Sequence, residues 1–416
     1  MTGKTTDAAP GGSRLGNWLP ADEAALSRFR CSFAEQVKAQ RLDQELNPVV
    51  KDLATLIDNN PLLRMPLTQA IYEALAAEYD LGYETIPQLM GLINGVITHA
   101  PPFNQTALVG CPLNALLDPI MNMPSGYALF RSPTLNAQLK KVLNAWCSFL
   151  SGPDSRGYLN ETSPTGWFCP EALKEIDMSL FVCDPSAPYW GFTSWNDYFT
   201  RKFKPGERPI ADPDNNKVIV SACEATPFNI QSDVQLQSRF WMKSQPYSLQ
   251  DIFTAPRQDL AETYVGGDLY QAFLSAHNYH CWNAPIGGTV VEAYNVDGTY
   301  YSDAPAEGYD PAGPNLSQGY ITAVAARAVI VIQCDDTSVG TVACVFVGMA
   351  EISSNVITVR IGQHVDKGDQ IGYFQYGGST HCLIFEKGVI QSFVPQPPFD
   401  FNATPIHVGA QIATAN

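Results

Sequence analysis

The hydrophobic periodicity of the chain changes once, near Lys204-Pro205-Gly206, and that change divides the fold into two unlike parts. Before it, apolar residues recur three and four apart, as in Val49, Leu53, Leu56 and Ile57, and again in Leu139, Val142, Leu143, Trp146 and Leu150. That spacing puts one face of a helix against a core. It predicts helices over residues 21–81, with a break at Asn59-Asn60-Pro61, and over 89–97 and 135–150. An aromatic-rich stretch, 189–203, reads as a further helix. From Lys217 onward, short runs of strand composition (218–221, 288–294, 326–333, 341–347 and 356–361) alternate with turn residues such as Asp297-Gly298, Asp335-Asp336 and Lys367-Gly368-Asp369. This is the pattern of a mostly-β domain, sandwich or barrel. The expected class is α+β: a flexible terminus (1–20), a helical domain (21–185) and a β-rich domain (186–416).

Composition narrows the function. Of 416 residues, 45% are hydrophobic, enough for a large core, and 41 acids against 25 bases give a net charge of −16. A surface of that sign repels nucleic acid and anionic lipid, and no basic run interrupts it. The first twenty residues lack the apolar segment of a secretory signal, and runs such as 329–332 and 342–347 are strand-sized rather than membrane-spanning. Ten cysteines are scattered singly, without CxxC pairs or disulfide spacing, and a zinc site has no support. The expectation is a cytoplasmic protein with reduced thiols, no metal, no nucleic-acid partner, no stable membrane anchor and a small-molecule substrate. Oligomeric state is not readable.

Near the C-terminus stands Gly377-Gly378-Ser379-Thr380-His381. Alone, such a tract is usually a tight turn, and it lacks the glycine at 381 that a GxSxG nucleophile elbow needs. Its company is more specific. Phe192-Thr193-Ser194, Tyr198-Phe199-Thr200-Arg201, Arg208-Pro209-Ile210, Lys243 with Tyr247-Ser248-Leu249, and Tyr279-His280 with Pro285 and Gly288 occur in order before it. Together, over roughly residues 185–390, these resemble the phosphatidylserine decarboxylase family. Ala100-Pro101, Pro124-Ser125-Gly126, Trp146 and Gly166-Trp167 are similar to the helical extension of a fungal branch of that family, associated with soluble decarboxylases of aromatic amino acids, notably L-tryptophan.

The resemblance implies a decarboxylase whose cofactor is a pyruvoyl group made from its own Ser379. The hydroxyl would attack the Gly378 carbonyl, and elimination would then leave fragments 1–378 and 379–416. In the family an Asp and a His assist the serine, and a neighbouring His serves decarboxylation. By motif, Glu224 stands where Asp is usual. His280 occupies the first position of a His-x-x-His pattern, and Asn283 stands in the second. Asn is no base, so three accounts stay open: Glu224 acts directly or through water, His280 serves both steps, or another histidine substitutes, with His277, His364 and His381 as candidates. Strand alternation would place Trp282 on the same face as His280, as a pocket or a core residue. Two other readings remain: a decarboxylase of phosphatidylserine or a non-aromatic acid, and a non-cleaving, non-catalytic homologue.

Overall fold

The computed structural model describes residues 23–103, 111–238, 247–274, 278–302, 317–351, 354–396 and 403–416. The expected flexible terminus, Lys243 and His277 lie outside the described residues. The first part is helical: α1 (Glu23–Ala39), α2 (Pro48–Asn59), α3 (Pro61–Ala76), α4 (Ile86–Ile97), α5 (Pro112–Met121), α6 (Pro124–Leu129) and α7 (Pro133–Leu150). Prolines mark the starts of α2 to α7, because the first helical residues need no amide donor and proline fixes φ. At α2, α3 and α7 the side chains of Asn47, Asn60 and Ser132 accept from the N–H groups of Val49, Leu62 and Leu135, meeting donors the helix leaves open. The expected break at Asn60-Pro61 is thus a cap shared by two helices. Helix α7 buries the stripe expected of it, Leu139, Val142, Leu143, Trp146 and Leu150.

The expected helix over 189–203 does not form. After the short α8 (Ala172–Glu175), Tyr189 and Trp190 both take φ of 55°, and only Trp195–Phe199 is α-helical (α9). Ser194 is extended and its side chain accepts from Asp197 N–H, while the Asp197 carboxylate accepts from the N–H and hydroxyl of Thr193. These reciprocal bonds fix the helix start at 195 and exclude 189–194 from it. The aromatic spacing serves a cluster instead: Phe168 stacks on Trp190 at 4.3 Å, and Trp195 on Phe199 at 5.4 Å.

The second part holds β1 (Val218–Val220), β2 (Thr226–Ser232), β3 (Asp268–Leu274), β4 (Cys281–Asn283), β5 (Gly288–Val296), β6 (Arg327–Cys334), β7 (Thr341–Met349), β8 (Ser354–Ile357), β9 (His364–Val365), β10 (Gln370–Gln375), β11 (Gly378–Phe385), β12 (Ile390–Phe393) and β13 (Gln411–Ala415), with short helices α10 (Leu249–Phe253), α11 (Gln258–Thr263) and α12 (Gln318–Val324). The run at 356–361 is shorter than expected: β8 stops at Ile357, and Ile361 is exposed. A seven-stranded sheet in the order β2-β3-β11-β7-β6-β5-β9 lies with two three-stranded sheets, β4-β10-β8 and β1-β13-β12.

The large sheet buries both faces. One carries Leu269, Phe273, Val329, Val331, Val345, Val347, Cys382 and Ile384 into a core continuous with the helices. The other carries Tyr270, Leu274, Ile330, Cys344, Phe346, Leu383 and Phe385 against Trp282, Phe374 and Ile412 of the small sheets. The architecture is therefore helices followed by a layered sheet domain, as the change in periodicity implies. Among the described residues no helix is long and apolar enough to cross a membrane.

Trp146 joins the two parts. It is buried, its indole N–H donates to the His99 carbonyl at 2.9 Å, and its ring meets Tyr376 edge-on at 5.4 Å. Trp146→Ala should lower stability by about 3–5 kcal/mol, read as a fall in the urea midpoint. A loss under about 1 kcal/mol would contradict this docking role.

Candidate active site

Strand β11 is central in the large sheet, and the Gly-Gly-Ser tract lies at its start. Ser379 pairs with Leu274 of β3 on one side and Gly348 of β7 on the other. Gly377, just before the strand, takes φ of 134°, a region that residues with a Cβ rarely adopt. Gly378 needs glycine less for space, since an added Cβ would meet Met349 at an ordinary 3.4 Å. The Ser379 side chain is fully buried, and its hydroxyl has no hydrogen-bond partner. A buried orphan hydroxyl costs about 1–3 kcal/mol and leaves the oxygen free to react.

Alternation along β11 puts Ser379 and His381 on one face and Thr380 on the other. Thr380 is tied down: its hydroxyl donates to the Ala272 carbonyl at 2.9 Å and accepts from Gln271, which also accepts from Tyr247. Tyr247 belongs to one of the resemblance motifs, and this network gives it a structural role beside Ser379. His381 is wholly buried with Phe346 and Tyr270 as ring neighbours. Burial pushes its pKa down to about 3, against a smaller upward pull from the Ala272 backbone, so the ring is neutral at physiological pH. His364 is half-exposed and pairs with Asp335 at 2.9 Å.

His280 lies just before β4, buried, with its ring on Phe199 at 4.0 Å and its carbonyl accepting from Phe374 N–H. Phe199 meets Tyr376 at 5.1 Å, and Tyr376 stands two residues before Gly378. One aromatic cluster thus links His280 to the cleavage tract. The expected shared face with Trp282 is absent. The His280 ring lies on Phe199 of the core shared with the helices, whereas Trp282 stacks on Phe346 at 4.1 Å in the other core.

Glu224 sits two residues before β2. Thr226 and Thr380 flank Phe273 on its two sides, so Glu224 and Gly378 lie at the same end of the sheet with one strand between, about 10 Å from backbone to backbone. Its carboxylate is engaged elsewhere: Arg208 donates from Nη2 at 2.6 Å and from Nε at 3.0 Å, and Val408 N–H donates at 2.9 Å. Arg208, quoted above only as part of a motif, is thus the partner of Glu224, in a charge-assisted fork of the strong kind. Asn283 donates to the Gly368 carbonyl at 2.7 Å, and its backbone N–H to the Ala222 carbonyl at 2.8 Å. The structure therefore links His280 through one aromatic cluster to Tyr376, just before the cleavage tract, holds Glu224 at the same sheet end through Arg208, and commits the Asn283 amide to the β10 approach.

Sequence reasoning passed over one ionisable group here. Glu351, two residues beyond β7, is buried next to Cys111, and Cys111 also contacts the Gly378 backbone. A single acid after an apolar strand carries no periodic signal.

The sequence model described as phosphatidylserine decarboxylase matches residues 195–412, and a second model of that description matches residues 47–176. The chain is 38% identical over 295 residues to the decarboxylase iboD of Amanita muscaria, covering 66% of this chain and 84% of that one. It is 30% identical over 395 residues to the L-tryptophan decarboxylase of Psilocybe cubensis, covering 89% and 88%. Phosphatidylserine decarboxylase proenzyme 3 of Schizosaccharomyces pombe is 28% identical over 236 residues, 57% of this chain and 22% of that one. With both of its parts matched and a relative aligned across most of its length, this chain belongs to the phosphatidylserine decarboxylase family and is a carboxy-lyase.

Proposed function

We propose that the chain cleaves itself between Gly378 and Ser379 and, so matured, decarboxylates a small amino acid, most simply an aromatic one such as L-tryptophan, to its amine. The observation that carries this reading is the buried, unpartnered Ser379 hydroxyl held in a central strand directly after two glycines. A bond from Ser379 Oγ to the Gly378 carbonyl carbon forms, the Gly378–Ser379 C–N bond breaks, and the hydroxyl proton passes to the nitrogen. Removal of the Ser379 Cα proton then breaks Cβ–Oγ and frees Gly378 as a carboxylate. Addition of one water and loss of ammonia complete the change at residue 379.

The pyruvoyl group so formed supplies the electron sink that decarboxylation of an α-amino acid needs. The residues around Ser379 suit such a group: the position is dry, which favours loss of a carboxylate, and the hydroxyl it would replace has no bond to lose. His280 is the proton donor to the substrate Cα, held against Phe199 so that its ring cannot swing away. Glu224 is fixed at this end of the sheet by Arg208, and Asn283 holds the neighbouring Gly368 turn. His381, on the Ser379 face of β11, is the candidate to accept the serine proton in place of the histidine that Asn283 replaces. The aromatic cluster of Phe199, Trp195 and Tyr376 beside His280, and the likeness to L-tryptophan decarboxylases, support an aromatic substrate.

On a denaturing gel the purified protein should run as two chains, residues 1–378 and 379–416, and Ser379→Ala as one chain without activity. A wild-type preparation that stays one chain overturns the reading. His280→Gln should leave cleavage intact and reduce decarboxylation by about 10²–10⁴-fold, measured as carbon dioxide release; unchanged release removes His280 from the mechanism. The same assay run with tryptophan, tyrosine, phenylalanine and phosphatidylserine vesicles reads the substrate class, and turnover of the vesicles alone contradicts the aromatic assignment. Asn283→His should speed maturation, seen as earlier appearance of the small chain; an unchanged rate means that Asn283 is not a handicap.

A further inference from the structure

Beside the scissile pair is a buried carboxyl group that the proposed reaction does not use. Strand β7 ends at Met349, directly opposite Gly378, and Glu351 comes two residues later, 1% exposed. Its Oε1 accepts from the backbone N–H of Asn114, in the first turn of α5, at 2.9 Å. The thiol of Cys111, the residue just before the same helix, lies against both the Glu351 carboxyl and the Gly378 backbone amide. Around them, Glu351 Oε2, Asn114 Oδ1 and Tyr301 Oη are buried without a hydrogen-bond partner. Nearly all buried polar groups in folded proteins are satisfied, and each exception calls for a reason. Three around one carboxyl, two residues beyond the strand partner of Gly378, point to a site rather than to packing.

We propose that Glu351 and Cys111 are positioning residues for cleavage, through which the helical part of the chain fixes Gly378 for attack by Ser379. The inference rests on the self-cleavage reading. Its physical basis is the freedom of the tract. Gly377 sits at a φ that glycine alone takes easily, so the Gly378 amide needs an anchor outside the sheet, and the Cys111 thiol meets it. Glu351 in turn holds the thiol and ties it to α5 through Asn114. A displacement of about 1 Å at a reacting group can cost 10²-fold in rate.

The protonation state of Glu351 gives this arrangement a signature that mere packing lacks. Burial raises its pKa to about 7, against weaker lowering by the bonds from Asn114 and Cys111. The other titratable groups facing it are Cys111, Tyr301 and Tyr376, each pushed well above its ordinary value chiefly by burial, so none of them is charged near neutrality. Below about pH 7 the carboxyl is neutral. Above that it carries a negative charge behind the Cys111 thiol that meets the Gly378 backbone, near the place where attack by Ser379 builds a second one, and like charges in a dry site repel. Cleavage should therefore slow as pH rises through about 7.

The test tracks the appearance of chain 379–416 from freshly translated full-length precursor, on gels, between about pH 6 and pH 8. Wild type should slow across that range. Glu351→Gln, which keeps the acceptor for Asn114 and stays neutral, should match wild type at the acid end and not slow at the alkaline end. Cys111→Val, close in volume, should slow cleavage by about 10–100-fold at every pH. A Glu351→Gln profile that tracks wild type, or Cys111→Val cleaving at the wild-type rate, overturns the inference while leaving self-cleavage intact. A wild-type precursor that is never cleaved overturns both.

Discussion

The two-sided pairing of β11 is the constraint on which the rest of the site depends. With β3 on one side and β7 on the other, the backbone from Ser379 to Phe385 is held by ladders in both directions. Freedom remains only where the strand begins: Gly377 takes φ of 134°, Gly378 is paired on the β7 side alone, and the serine follows. A rigid acceptor strand joined to one loose turn lets a side chain reach the carbonyl before it without disturbing the fold. The same pairing decides the fate of the two fragments once the chain is cut at 378. Residues 379–416 contribute the inner strand β11, and also β13, which lies between β1 and β12. A small chain starting at 379 would stay woven into both sheets, so the cut costs no architecture.

The two faces of the large sheet divide the work. The face toward the helices carries Thr380 in its network with Gln271 and Tyr247, and gives the strand its fixed height. The opposite face carries Ser379 and His381, the latter beside Phe346, which stacks on Trp282 in a dry layer. Around the open end stand His280 in its aromatic cluster, Glu224 clasped by Arg208, and Glu351 reached from α5. Buried ion pairs are weak stabilisers but expensive to break, so the Arg208–Glu224 fork is better understood as fixing geometry than as holding the fold together.

Much of this was legible in the sequence, and the failures have physical causes. Helical periodicity located α2, α4 and α7, because apolar spacing agrees there with Asn-Pro, Thr-Ile-Pro and Ser-Pro starts. The same spacing misled over 189–203, where aromatics three and four apart fill a cluster and side-chain capping by Ser194 and Asp197 limits the helix to five residues. Strand composition located β5, β6 and β7, and overextended β8. Glu224 and Asn283 were legible as positions but not as contacts, since the partners Arg208 and Gly368 are set by tertiary packing. Glu351 was invisible for a plainer reason: its bond to Asn114 spans 237 positions, and no local pattern announces it.

The central claim is that Ser379 ceases to be a serine. Intact mass spectrometry of the purified protein under denaturing conditions tests this most directly. The account predicts a small chain of residues 379–416 that is lighter by one ammonia than the peptide beginning with serine, and that gains two hydrogens on borohydride reduction, as a ketone does. A chain of full mass, or a small chain that keeps its serine amine, would contradict it.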